Sequence, residues 1–216
     1  SADDTYVILT THNYKADRIN REELDKIKSP ARVFEAKVDG DFPERSFPAD
    51  EKLELKIGSK VMFIKNDSEN PRRFFNGKIG LVTEWDNNSI WVKCPEDKEA
   101  IEVTPVQWEN IRYQANESTL VVSEEVLGTF RQFPLRLAWA ITIHKSQGLT
   151  FEKAIIDAES AFAAGQVYVA LSRCRSLEGL VLQSKVQRSA IQNDAEILQF
   201  SSKHFSMDQL ETDFSK

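Results

Sequence analysis

The chain of 216 residues has only two cysteines, Cys94 and Cys174, far apart and in no metal-ligand spacing. That excludes a disulfide framework and a zinc ribbon, and it reads as two reduced thiols in a cytoplasmic protein. No apolar run approaches the ~20 residues that a spanning helix needs, so no membrane partner is expected. The first residues, Ser1-Ala2-Asp3-Asp4-Thr5, have neither the basic nor the apolar region of a secretory signal. Internal repeats and low-complexity tracts are absent. So is a phosphate-binding loop. Gly77-Lys78 invites that reading, but Ile79 follows the lysine and Arg72, not glycine, stands five residues before Gly77. No acidic pair suited to magnesium accompanies it.

What is present is an ordinary globular composition, 41% hydrophobic and 29% charged. The net charge of −6 argues against a polyanionic partner at first sight. Its distribution softens that argument. Residues 1–118 carry 18 basic and 23 acidic groups, and residues 190–216 carry 2 and 5. Residues 119–189 carry 8 and 6, the only basic segment. Attraction to phosphate depends on local rather than net charge.

Tyr6–Thr10 reads as a short buried strand. Residues 14–28 read as a surface helix, with Ala16, Ile19, Leu24 and Ile27 at near-helical spacing, Asn13 placed to cap it and Ser29-Pro30 to end it. A strand feeding directly into a helix is an α/β signature. Residues 31–56 are extended and acidic. From Ile57 to about Gln114 the pattern is all-β, with short strands at regular spacing and the tight turn Asp86-Asn87-Asn88, which suggests a small SH3-like β-barrel. Strands are then expected at 120–122, 126–133, 137–143, 153–157 and 179–182, and helices at 164–174 and 193–212. The simplest organisation is one parallel-sheet α/β domain built from residues 1–56 and 115–216, with the barrel inserted at 57–114.

The densest chemistry lies in Ala138-Trp139-Ala140-Ile141-Thr142-Ile143-His144-Lys145-Ser146-Gln147-Gly148-Leu149-Thr150-Phe151. An apolar strand ends there in hydroxyl, imidazole and ammonium groups, followed by a glycine. In open α/β sheets ligands sit beyond the carboxyl ends of strands. Thr142 and Ser146 hydroxyls, with backbone N–H groups freed near Gly148, can donate to a phosphate. His144 can stack on a base or meet a phosphate, and Lys145 adds charge. Downstream, Gly165-Gln166-Val167-Tyr168-Val169-Ala170-Leu171-Ser172-Arg173 can pack Val167, Ala170 and Leu171 inward and leave Tyr168 and Arg173 to project elsewhere.

These two runs resemble the fifth and sixth motifs of superfamily-1 nucleic-acid helicases in the RecD/Dda/Pif branch. Thr10-Thr11-His12-Asn13 is similar to the fourth, and Gly58–Asn66 with Asn76–Gly80 resembles the small barrel inserted in that branch. The resemblance covers residues 6–185 in the family's motif order. It implies a RecA-like domain, the second of two, and hence the C-terminal half of an ATP-dependent DNA helicase working 5′ to 3′. It implies that Thr142, His144, Lys145 and Ser146 grip single-stranded DNA, that Gln147, Gly148 and Gln166 lie on the nucleotide side, and that Arg173 is the arginine finger. Asn13 stands open between DNA contact and helix capping. Phe74 and Phe75, beside Arg72 and Arg73, stand open between base stacking and core packing. ATP and Mg2+ would be held mainly by an N-terminal RecA-like domain that this chain lacks, leaving it inactive alone. The rival reading is a non-catalytic nucleic-acid-binding module with the same fold.

Overall fold

The structure, a computed structural model, describes residues 6–69, 71–115, 122–157 and 165–186. Its elements in chain order are β1 (Val7–Thr10), α1 (Asn13–Lys26), β2 (Ala31–Glu35), β3 (Lys37–Gly40), β4 (Lys52–Lys56), β5 (Lys60–Phe63), β6 (Ile79–Trp85), β7 (Ile90–Lys93), β8 (Ile101–Val103), β9 (Val106–Ala115), β10 (Val122–Gln132), β11 (Leu135–Leu137), β12 (Ala140–Thr142), β13 (Ala154–Ile156), α2 (Gln166–Leu171) and β14 (Leu180–Leu182). The expected helix at 193–212 lies outside the described residues.

Two cores divide the described residues. The first belongs to a parallel sheet in the order β12-β1-β13-β14, with Ile8 opposite Ala140 on one side and Ile155 on the other. Its strands are short apolar runs, as expected where both faces are covered. Val7, Leu9, Ile141, Ile143, Ala154 and Ile156 pack there with Val167 and Ala170 of α2. The fold is RecA-like.

The second core is antiparallel. A five-stranded sheet in the order β11-β5-β6-β7-β8 is joined by the β2-β4 pair, so that Phe34, Leu53 and Leu55 pack with Phe63, Val82, Val92 and Leu135. Cys94 is buried in it, and burial pushes its thiol up to about 12. A three-stranded sheet, β3-β10-β9, completes the β structure. None of the strands between residues 57 and 114 joins the parallel sheet. The five-stranded sheet does not stop at 114, however. It recruits β11, while β9 leaves it to pair with β10.

Several expectations need correcting. The single strand at 137–143 is two strands in different sheets. Leu135–Leu137 pairs with β5, Ala138 N–H donates to the Lys60 carbonyl, and Ala140–Thr142 then pairs with β1. One apolar run serves two cores, so hydrophobicity alone could not place the break. Asn13 does not cap α1. The cap is His12, with extended backbone and no side-chain cap bond, and Asn13 is the first helical residue. The helix at 164–174 reduces to six residues after Gly165, whose φ of 76° is left-handed. Leu171, expected inward, is exposed.

The pairs Arg72-Arg73 and Phe74-Phe75 separate. Phe74 is buried and stacked on Phe63 at 4.3 Å, and Arg73 is clamped by Asp67, while Arg72 and Phe75 face outward. Alternation along an extended segment sends neighbours to opposite sides.

Candidate functional site

The parallel sheet places the carboxyl ends of β1 and β12 side by side, with Thr10 opposite Thr142. Thr10 is fully buried and its hydroxyl has no partner. Beyond β12 the chain makes a compact turn. The Lys145 N–H donates weakly to Thr142 Oγ1 at 3.4 Å, and the N–H groups of Ser146, Gln147 and Leu149 donate to Thr142, His144 and Ser146 carbonyls. The turn therefore uses the backbone donors on either side of Gly148, which were expected to be free for phosphate. Ser146 also differs from its expected role. It is fully buried and its hydroxyl donates to the Ile143 carbonyl at 2.7 Å, so it shapes the turn from inside. His144, Gln147 and Gly148 are exposed at its tip. Gly148 adopts φ of 77° with open space where a Cβ would stand.

The turn has two sides. On one, Asn13, Thr142 and Lys145 line a cavity of about 240 Å³ between α1, the segment 50–54 and β11–β12. Lys145 has its pKa lowered, first by desolvation and then by the neighbouring Arg136 charge, with Asp17 and Asp50 acting in the opposite sense. His144 is not among the residues lining this cavity.

On the other side the turn meets the end of α2. Phe151 N–H donates to the Arg173 carbonyl at 2.8 Å, and Arg175 N–H donates to the Phe151 carbonyl at 2.9 Å. The Arg173 guanidinium is folded back. Nε donates to the Val169 carbonyl at 3.0 Å, Nη1 to the Leu149 carbonyl at 3.2 Å and Nη2 to Ser172 Oγ at 3.0 Å. Gln166 begins the same helix, half-buried. Arg175 pairs with Glu152 on the surface.

Three residues that sequence reasoning gave no part in the site support this arrangement. Asn20 is buried in α1. Its amide donates to the Ala140 carbonyl at 2.8 Å and accepts from the Ala140 N–H at 2.9 Å, so the helix is hydrogen-bonded to the outer edge of β12. Gly77, at φ of 97°, lies so close to Leu149 that a Cβ there would stand 3.1 Å from Leu149 Cδ2. The antiparallel unit thus braces the turn from behind. Arg136 reaches the cavity from β11. Its signal was legible as a lone cation inside the apolar stretch Pro134–Ile141.

A parallel sheet, a polar turn beyond its carboxyl edge and an arginine after the next helix, tied to that turn, are the arrangement expected of a RecA-like domain in the superfamily-1 class. A scan against protein-family models returns no match. The chain is 34% identical over 206 residues to the ATP-dependent DNA helicase Pif1 of Bdellovibrio bacteriovorus, covering 92% of this chain and 43% of that protein. The solved structure of Bacteroides sp Pif1 in complex with ADP-AlF4 matches with a TM-score of 0.82 at 38% identity, over 93% of this chain and 45% of that one. Bacteroides Pif1 bound to ssDNA matches at 0.72 and 37%, over 93% and 46%. Within superfamily 1 the chain is Pif1-like, and it spans half or less of the length of the curated relatives it matches.

Proposed function

We propose that the chain works as the C-terminal half of an ATP-dependent DNA helicase, supplying one grip on single-stranded DNA and the arginine finger. One observation carries this reading. The two motif segments are physically one unit, because Arg173 is bound through its backbone to Phe151 and through its side chain to Leu149. A strand pulling on Thr142, His144 and Lys145 acts on the turn that holds the arginine. The relatives are ATP-dependent DNA helicases by name, and the Bacteroides protein has been solved with single-stranded DNA and with ADP-AlF4.

Arg173 is permanently charged, and its planar guanidinium can form two hydrogen bonds to a phosphoryl group. To reach a γ-phosphate it must leave the Val169, Leu149 and Ser172 oxygens, which then act as its resting site. Gln147, Gly148 and Gln166 form the rest of the nucleotide-facing edge. Among the described residues no cluster of three His, Cys, Asp or Glu side chains is placed to hold a metal. We assign the bulk of ATP and its Mg2+ to a phosphate-loop domain outside this sequence. When bound, the ion would neutralise charge on the phosphates. The antiparallel unit, built around the insertion expected at 57–114, is read as the brace of the turn. Closing of the two RecA-like domains on ATP and opening after hydrolysis would step the strand, 5′ to 3′ by family resemblance.

The rival module reading predicts no nucleotide role for Arg173. The separating experiment measures DNA-stimulated ATP hydrolysis by this chain alone and together with the phosphate-loop domain. The account expects activity only in the combination. Hydrolysis by the pure chain that Arg173→Ala abolishes would overturn it.

A further inference from the structure

The cavity beside the turn carries more positive character than the motif residues account for. Arg136 and Lys145 both line it, and among the described residues neither forms an ion pair. Arg136 Nη2 makes one long bond, 3.4 Å, to the Pro48 carbonyl, while Nε is buried with no hydrogen-bond partner. With one long hydrogen bond and no ion pair, the Arg136 guanidinium keeps Nη donors for an anion in the cavity. The cavity also opens onto the start of α1. This helix of 14 residues begins at Asn13 with no side-chain cap bond and no acidic residue in its first turn. The orphan N–H groups and the helix dipole make such an end attractive to an anion. Arg136 and Lys145 therefore share one space of about 240 Å³ with the first residue of α1, against the carboxylates Asp17, Asp50 and Glu54.

An acidic side chain of the protein does not occupy that role. Asp17 and Asp50 line the same cavity, yet neither forms a salt bridge with Arg136 or Lys145. They lower the net positive charge without satisfying the buried donor. Asn13 and Thr142, two residues of the expected DNA grip, also line the cavity, Thr142 from a buried position. A ligand that fits is an oxyanion small enough for the cavity and carried on a chain that passes Thr142.

We propose that Arg136 is a further DNA-binding residue, seating one phosphodiester of the single strand together with Lys145 and the amino end of α1. The proposal rests on the DNA-grip reading above. Arg173 does not line this cavity and is held at Leu149 and Phe151 instead, so phosphate capture and finger release act on one turn at different points. The cavity's second wall, the segment 50–54, is held by the Arg21–Glu54 ion pair at 2.6 Å. That wall makes the seat a concave site rather than a charged surface.

The test measures binding of a dye-labelled oligothymidylate to the full polypeptide across a salt series, with thermal unfolding in parallel. Each single-strand phosphate contact contributes about 0.7 to the slope of log affinity against log salt. Arg136→Gln should weaken binding about tenfold and lower that slope by about 0.7. Arg136→Lys should restore the slope but not the full affinity, since charge returns without the fork. Asp50→Asn, which removes a carboxylate from the cavity wall, should tighten binding about two- to threefold, and it keeps the test decisive if Arg136→Gln fails to fold. Lys145→Gln and His144→Ala separate the levels of the argument. If they weaken binding while the Arg136 and Asp50 variants match wild type, the Arg136 seat is wrong and the DNA grip stands. If Arg136→Gln lowers affinity with an unchanged salt slope and a lowered Tm, Arg136 is only a structural brace and the proposal falls. If none of these variants changes binding, the DNA grip itself is misassigned.

Discussion

Replacing Asp67 with asparagine removes the charge that holds the loop behind the motif turn. Asp67 is buried and accepts from Arg73 Nε at 2.8 Å, from the Arg73 backbone N–H at 3.0 Å and from the Glu69 N–H at 3.1 Å. The Arg73 side chain first, then these backbone donors, hold its carboxyl at about 2 against an ordinary 3.8, with burial opposing. At about 1.4 kcal/mol per tenfold change, that difference corresponds to about 2.5 kcal/mol. The Arg73 side chain is 39% exposed, so solvent screening reduces the expected loss to about 1–2 kcal/mol at pH 7. The folded-state value is depressed, so the contribution is complete above about pH 4 and is lost as pH falls through about 2. Urea unfolding of wild type and Asp67→Asn at several pH values between 7 and 2.5 isolates it. The gap between the two should be widest near neutrality and narrow to about a third of that by pH 2.5. A gap that stays constant over that range, or one below about 0.5 kcal/mol at pH 7, would refute the clamp.

Two further substitutions probe how the turn is supported. Gly77→Ala combines a left-handed backbone with a 3.1 Å approach to Leu149, and should cost about 1–3 kcal/mol by urea unfolding while weakening strand binding; unchanged stability and binding would show that the loop does not brace the turn. Asn20→Ala leaves both backbone groups of Ala140 without their partners and should cost about 2–4 kcal/mol, with early loss of hydrogen-exchange protection at Ala140; slow exchange retained there would contradict the tie between α1 and β12.

The sequence pattern carried the α/β character and the position of the turn, because a buried parallel strand followed by polar residues and glycine is a strong local signal. It could not show that Leu135–Thr142 crosses between two cores, since the same apolar residues satisfy either. Nor could it separate Thr142 and Lys145, which line the cavity, from Ser146, which points inward to the Ile143 carbonyl, because three-residue spacing in a tight turn is not a helical face. Asn13 looked like a cap because its residue type fits one. The helix begins a residue earlier than that requires, and Asn13 instead lines the cavity. Arg136 was visible as a charge among apolar residues, but its unpaired Nε is a fact of tertiary packing.

The central claim is that Arg173 acts on the phosphoryl group and that the turn carries this action to the strand. In the full polypeptide, Arg173→Lys keeps the charge but loses the fork, and an arginine finger is worth roughly 10³ to 10⁵ in rate. A finger acts mainly on the transition state, so turnover should fall far more than affinity for nucleotide or single strands. Arg175, paired with Glu152 on the surface, is the internal control. DNA-stimulated ATP hydrolysis measured for Arg173→Lys and Arg175→Lys should show a loss of at least about a hundredfold in the first and near-normal turnover in the second, with strand binding retained in both. Near-normal hydrolysis in Arg173→Lys, or an equal loss from Arg175→Lys, would contradict the account.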